Sequence, residues 1–219
     1  MAYPQAPWTL QGYALQTLHL IDIDQVRPLV PSELEIVSVW PGKTVGGIYI
    51  ASYGSGSVLE YNELIVVGAL TRHSGKLGGW VSHIYVDNPD SVAGGREIWG
   101  LPKEIAQFTW EDGKPYGVQV RQEETLLCTL NCQWQIPGWR QPLNALSFSA
   151  LHSDLLLFEA NSELNFSLVG AKLQIPSESP FSSILGFNQP WLSFYGDQLR
   201  LVVNEPQAVG ERATAFSYS

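Results

Sequence analysis

Short apolar or alternating runs, separated for the most part by Gly, Pro, Asn and Asp, recur along the whole of this chain. The clearest are YALQTLHLI (13–21), TVGGIYIASY (44–53), NELIVVGAL (62–70) and WVSHIYVDN (80–88). GVQVRQ (117–122), TLLCTLNCQWQI (125–136), SELNFSLVGAKLQI (162–175) and QLRLVVN (198–204) continue the series. Runs of this length with this punctuation read as strands. WEDGKPY carries a hairpin signal at Asp112-Gly113. Only two stretches read as helices. In DIDQVRPLVP (22–31) acids favour the N-terminus and prolines limit the length. In NPDSVAGGREIWG (88–100) Asn88 can cap, Pro89 suits the first turn, Asp90 complements the dipole and Gly100 can end the helix. The internal Gly94-Gly95 pair costs about 1 kcal/mol per glycine relative to alanine. Either that helix is short, or something packs against its backbone there. The segment 138–160 and the following IPSESPFSS (175–183) are less regular and read as excursions from a sheet. Many strands with few, short helices predict an all-β fold, a barrel or a sandwich. A barrel has an interior mouth in which a pocket can form.

With 219 residues the chain suits one domain, 1–219, with a sizeable core. A formal charge of −9 works against binding nucleic acid or an anionic membrane surface. No run of 18 apolar residues exists, so no membrane span is expected. MAYPQAPWTLQG has neither the basic nor the apolar region of a secretory signal, so the cytoplasm is the expected location. Cys128 and Cys132 share a face of LLCTLNCQWQI with Leu126, Leu130, Trp134 and Ile136. On a strand they stand roughly 13 Å apart, too far for a disulfide, and read as buried thiols. His19, His73, His83 and His152 show no metal spacing, so no metal is expected. GSGSV (54–58) lacks the Gly-Lys-Ser/Thr of a phosphate loop and reads as a hairpin tip or a pocket lip. The eight tryptophans imply either deep apolar burial or an aromatic-lined cavity.

The stretch that points to chemistry is GGREIWGLPKE (94–104), where one of five lysines, Lys103, follows a Gly-Leu-Pro turn. Most lysines are solvated surface charges. This one sits on backbone stiffened by Pro102, between Ile98, Trp99 and Leu101 on one side and Ile105 and Phe108 on the other. Where such side chains line a site, desolvation disfavours an ammonium, and a deprotonated lysine is a nucleophile.

GGREIWGLPKEIAQF resembles the signature of the acetoacetate decarboxylase family, in which Gly-Arg-Glu leads to a Pro-Lys whose lysine forms a Schiff base. VRPLVPSELEI (26–36), the YNE of 61–63 and IYVDNPDSVAGGRE (84–97) follow the family in the same order. The resemblance implies an acetoacetate decarboxylase-like β-barrel with Lys103 as the Schiff-base nucleophile, acting without a cofactor on a small keto acid or related carbonyl compound. It implies that Glu63 points into the pocket to position the lysine or handle a proton; on the residues alone Glu63 reads rather as a cap or flank of the strand LIVVGAL. Arg96 either holds a substrate carboxylate or buttresses the fold, and Glu97 and Leu101 complete the expected substrate-binding set. Family members assemble, so a homo-oligomer is implied. Two departures stand out. The second lysine usual after the nucleophile is Glu104 here, which strand alternation can aim to the opposite side. The arginine of the N-terminal strand has no match, since YALQTLHLI offers only His19. GGIYIASYGSGS, EYNELIVVG and GLP-x-x-I-A-x-F are similar to a second branch, the plant proteins required for neoxanthin accumulation. That branch implies an alternative: a non-enzymatic binding protein for an apolar or isoprenoid ligand.

Overall fold

The run NELIVVGAL is apolar at most positions because one face of its strand meets the core and the other a cavity. The structure is a computed structural model and describes residues 3–111, 116–185 and 189–212. β1 (Trp8–Asp22) leads into α1 (Ile23–Val26) and a 3-10 turn at Arg27–Leu29, followed by β2 (Glu35–Ile36), β3 (Lys43–Tyr53), β4 (Tyr61–His73) and β5 (Lys76–Val86). After α2 (Pro89–Trp99) come β6 (Lys103–Ile105), β7 (Gln107–Glu111), β8 (Gly117–Gln122), β9 (Thr125–Leu151) and β10 (Asp154–Gln174). α3 (Ser182–Leu185), β11 (Leu192–Val203) and β12 (Gln207–Glu211) follow. One sheet runs β12-β10-β11-β1-β3-β4-β5-β9-β8-β7, with β2 on β4 and β6 on β5, and β9 pairs additionally with β10. The mostly-β expectation with few short helices is met. No helix among the described residues is long and apolar enough to cross a membrane.

β4 shows how alternation divides the interior. Leu64 and Val66 join a large core with Leu15, Ile48, Ile50 and Phe148, whereas Glu63, Ile65 and Val67 line a cavity. β1 does the same, sending Leu15 and Ile21 to the core and Leu10, Ala14 and Gln16 to the cavity. Glu63 is thus the single acid that β4 aims at the cavity.

Both expected helices are present. The Asn88 carboxamide accepts from the backbone N–H groups of Asp90 (2.9 Å) and Ser91 (3.4 Å), and Gly100 ends α2 at a left-handed φ of 60°. The cost of the glycine pair has the second of its two explanations. A Cβ on Gly94 would meet the Trp8 ring at 2.6 Å, and one on Gly95 would strike Cδ of Lys103. The two glycines are the floor on which Trp8 and Lys103 lie.

The stretch 138–160 departs from expectation, being almost entirely strand in β9 and β10. From Gln133 to Leu146 the second edge of β9 pairs with no described strand. Pro137 and Pro142 fall in that open edge, where a sheet tolerates a missing donor. Cys128 and Cys132 are buried and free, and burial pushes their thiols up to about 12 and about 11. Their face does not continue to Trp134 and Ile136, which are 49% and 58% exposed. A register shift between Gly170 and Ala171 opposite leaves an extra residue in β9 there and breaks the alternation. GSGSV belongs to the β3–β4 connection, held to β1 by the bond from the Gln11 N–H to Ser57 Oγ (2.8 Å), as a hairpin tip. The flanks of the WEDGKPY hairpin pair as β7 and β8; Asp112 and Gly113 lie outside the described residues.

Candidate functional site

A cavity of about 370 Å³ opens against one face of β1, β3, β4 and β5 and is bounded opposite by β9, β10 and β11. Lys103 enters it at the first position of β6, whose parallel pairing sets Lys103 opposite Ile84 and Glu104 opposite Tyr85. Ile84 lines the cavity, so Lys103 shares its face and is only 3% exposed. Glu104 is exposed and accepts a hydrogen bond from Gln122 Nε2 at 2.7 Å. The Glu104 carboxylate therefore lies outside the cavity.

The turn before Lys103 is fastened at both ends. The Leu101 N–H donates to Gly95 O (3.0 Å), and the Lys103 N–H donates to Leu101 O (2.8 Å). Arg96 Nε donates to the Lys103 carbonyl at 2.8 Å. Arg96 is exposed and does not line the cavity. Glu97 is also exposed and outside the cavity, accepting from the Tyr3 hydroxyl at 2.6 Å. Leu101 does line it.

The lysine ammonium lies 2.8 Å from Glu63 Oε1 and 3.0 Å from Ser91 Oγ. Glu63 is 5% exposed. A buried ion pair is a poor device for stability, since each charge forfeits several kcal/mol of hydration (roughly). Its presence in an otherwise uncharged wall is the main chemical singularity among the described residues. The second Glu63 oxygen accepts from the Tyr53 hydroxyl at 3.1 Å, and the Tyr53 and Tyr49 hydroxyls are 3.1 Å apart. Burial first of all raises Tyr53 and Tyr61 well above the usual phenol range, so both stay neutral hydrogen-bonding groups. The ammonium also lies 5.0 Å from the Tyr61 ring centre and 5.7 Å from that of Trp8, within cation–π range. Trp8 packs edge-on against Trp99 with ring centres 4.9 Å apart.

Of the residues singled out in the sequence, the structure brings Lys103, Glu63 and Leu101 together on the cavity wall; sequence reading passed over Ser91, Tyr49, Tyr53, Tyr61 and Trp8. Alternation in TVGGIYIASY puts Tyr49, Ala51 and Tyr53 on one face, a signal that was legible. Ser91 had none, since nothing in the chain says that the first turn of α2 faces a residue twelve positions on. Three histidines make contacts within the fold: His19 bonds to Thr17 Oγ1 (2.9 Å), His73 to the Glu33 and Val209 carbonyls, and the His83 ring lies tilted by 58° against Phe181 with ring centres 5.8 Å apart. Among the described residues no cluster could hold a metal. The tryptophans divide: Trp8 and Trp99 are buried at the cavity, while Trp40, Trp139 and Trp191 are exposed.

Residues 1–159 match the model of the family described as acetoacetate decarboxylase (ADC). The chain belongs to the acetoacetate decarboxylase family. Among its relatives, the protein NEOXANTHIN-DEFICIENT 1 of Solanum lycopersicum is 30% identical over 221 residues, covering 82% of this chain and 75% of that protein. The Arabidopsis thaliana protein of the same name is 29% identical, with 49% of this chain matched to 38% of the relative. An acetoacetate decarboxylase of Burkholderia ambifaria is 33% identical over 49% of this chain and 42% of its own length. The chain thus spans less than half of the latter two relatives. Two solved structures share the fold: acetoacetate decarboxylase from Legionella pneumophila (TM-score 0.78, 16% identity, 96% of this chain and 90% of that one) and the enduracididine biosynthesis enzyme MppR complexed with pyruvate (TM-score 0.76, 13% identity, 95% and 92%). The family resemblance read from GGREIWGLPKEIAQF, and its plant branch, are both met.

Proposed function

We propose that this protein is a Schiff-base-forming enzyme of the acetoacetate decarboxylase family that acts on a small carbonyl compound, a keto acid or a relative of one, with Lys103 as nucleophile. The observation that carries this reading is a single amine, Lys103, on a cavity wall within 2.8 Å of a buried carboxylate, Glu63. Proton transfer inside that pair leaves a neutral amine beside a carboxylic acid, without changing the net charge of the site. The amine adds to the substrate carbonyl, and Glu63 returns the proton to the departing hydroxyl, which leaves as water. The resulting iminium accepts an electron pair from the bond that breaks next: C–CO2 in a β-keto acid, Cα–H in other carbonyl compounds. Arg96 and Glu97 belong to this reading as supports of the lysine turn and the chain near Tyr3. In the same reading the circuit of strand pairings from β10 through β1 and β5 to β9 is a barrel, folded as one domain, and members assemble as homo-oligomers.

Borohydride trapping with β-keto and α-keto acids and simple ketones, followed by intact mass, tests the chemistry. A reduced adduct on the native protein and none on Lys103→Ala is expected. No adduct from any carbonyl compound, with the near-ultraviolet circular dichroism intact, would sink the Schiff-base reading. A second reading is favoured by the cavity lining, which is aromatic and aliphatic over most of its surface: a non-catalytic binding protein for an apolar ligand. It predicts saturable quenching of Trp8 and Trp99 fluorescence by such a ligand in native protein and Lys103→Ala alike.

A further inference from the structure

The charges around the cavity narrow the substrate. Among the described lining residues Lys103 is the only cation and Glu63 the only anion, and they are already paired. No arginine lines the cavity. Arg96 holds the Lys103 carbonyl, Arg27 holds the Val30, Pro31 and Leu34 carbonyls, and Arg72 and Arg140 pair with Glu35 and Glu163. Arg200 sits between Leu199 and Leu201, which both face the cavity, so strand alternation turns it to the opposite side.

Resting on the Schiff-base reading, we infer that the substrate is an uncharged, largely apolar ketone or aldehyde, not a keto acid. Imine formation balances within the existing charges: R–NH3+ and O=CR2 give R–NH+=CR2 and H2O, and the iminium inherits the Glu63 carboxylate that neutralised the ammonium. A substrate carboxylate would add one uncompensated negative charge to a site walled by Trp8, Leu10, Ile65, Val81 and Phe158, where charge is poorly solvated. What remains for substrate polarity is neutral: Gln16, Asn144, Ser147 and Ser162 line the cavity and suit a hydroxyl or a second carbonyl. At about 30 Å³ per water-sized group in a liquid, 370 Å³ holds on the order of a dozen non-hydrogen atoms. The bond broken after the imine forms is then Cα–H or Cα–Cβ, as in isomerisation or retro-aldol cleavage, and no CO2 is released.

A matched pair tests this: methyl heptyl ketone and carboxyl-labelled β-ketodecanoate, which differ by one carboxylate. Both would leave the same reduced adduct if the acid lost CO2, so release of the label is followed beside mass and peptide mapping of Lys103. The expected result is half-maximal trapping of the ketone at a concentration at least about ten-fold lower than of the acid, with no released label above the Lys103→Ala background. Equal or better trapping of the acid, or lysine-dependent release of label, would overturn the inference and leave the Schiff-base reading standing. Trapping of neither, with the ketone still quenching Trp8 and Trp99 fluorescence, would overturn the Schiff-base reading and leave an apolar cavity. Gln16→Arg places a second cation on the wall and is expected to shift the preference toward the acid by about ten-fold. An unchanged preference in a folded Gln16→Arg protein would overturn the charge argument.

Discussion

At the scale of single residues, the site rests on one buried pair. Removing the carboxylate alone leaves Lys103 without a counter-ion, and breaking such a pair costs about 3–5 kcal/mol. Glu63→Ala should therefore lower the urea-unfolding free energy by that amount. The double variant Glu63→Ala/Lys103→Met should recover most of the loss, because it removes both charges from the wall. Equal destabilisation in the single and double variants would show that Glu63 matters through packing and not through charge. The roles of these residues were only partly legible beforehand. Lys103 announced itself through Gly-Leu-Pro and its apolar neighbours, because local stiffness and hydrophobic flanks are written in consecutive positions. Its partners were harder to read. Glu63 lies forty positions away, and its sharing of a cavity face depends on β4 and β6 each pairing with β5 in one register. Arg96 looked equally suited to a substrate or a scaffold, and its bond to the Lys103 carbonyl is visible only in the fold.

At the scale of elements, α2 is the piece that seats the lysine. Its Asn88 cap, Gly100 stop and glycine pair were all visible as helix signals, yet only the packing shows why the glycines are there. Gly95→Ala should favour the helix by about 1 kcal/mol on propensity. The added methyl strikes Cδ and Cε of Lys103, atoms of a flexible side chain that can swing away. The expected variant is less stable than the native protein in thermal unfolding by roughly 2–4 kcal/mol, the cost of the broken pair less the gain in propensity, with borohydride trapping reduced by on the order of a hundred-fold as the amine leaves Glu63 and Ser91. Retained trapping would mean that the floor of the site is more pliant than its geometry indicates. β9 teaches the converse lesson. The segment 138–160 read as an excursion from a sheet, yet it is almost entirely strand; Pro137 and Pro142 lie on the unpaired edge of β9, a position that local sequence cannot distinguish from a loop.

At the scale of the whole molecule, that open edge runs beside exposed Trp134, Ile136 and Trp139, an arrangement that invites strand pairing between copies. The prolines interrupt its row of donors. A Pro137→Thr/Pro142→Thr variant is expected to self-associate in light scattering at concentrations where the native protein's particle size is constant, with Lys103 trapping unchanged. An unaltered size distribution would show that the edge is protected by something else. The alternation of runs was enough to read strand content, because a period of two is local. The strand order was not, since β9 reaches β5, β8 and β10 in turn. One further consequence concerns heredity. Lys103, and not Glu104, faces the cavity only because β6 meets β5 in its present register, a register reached through a connection from Gly100 with its present number of codons. Deleting a single codon there, with the connection's span kept so that β6 slips by one residue against β5, would bring Glu104 into the place of the amine. Two acids would then face each other across an apolar chamber, and the gene would encode a proton-sharing site where it now encodes a nucleophile.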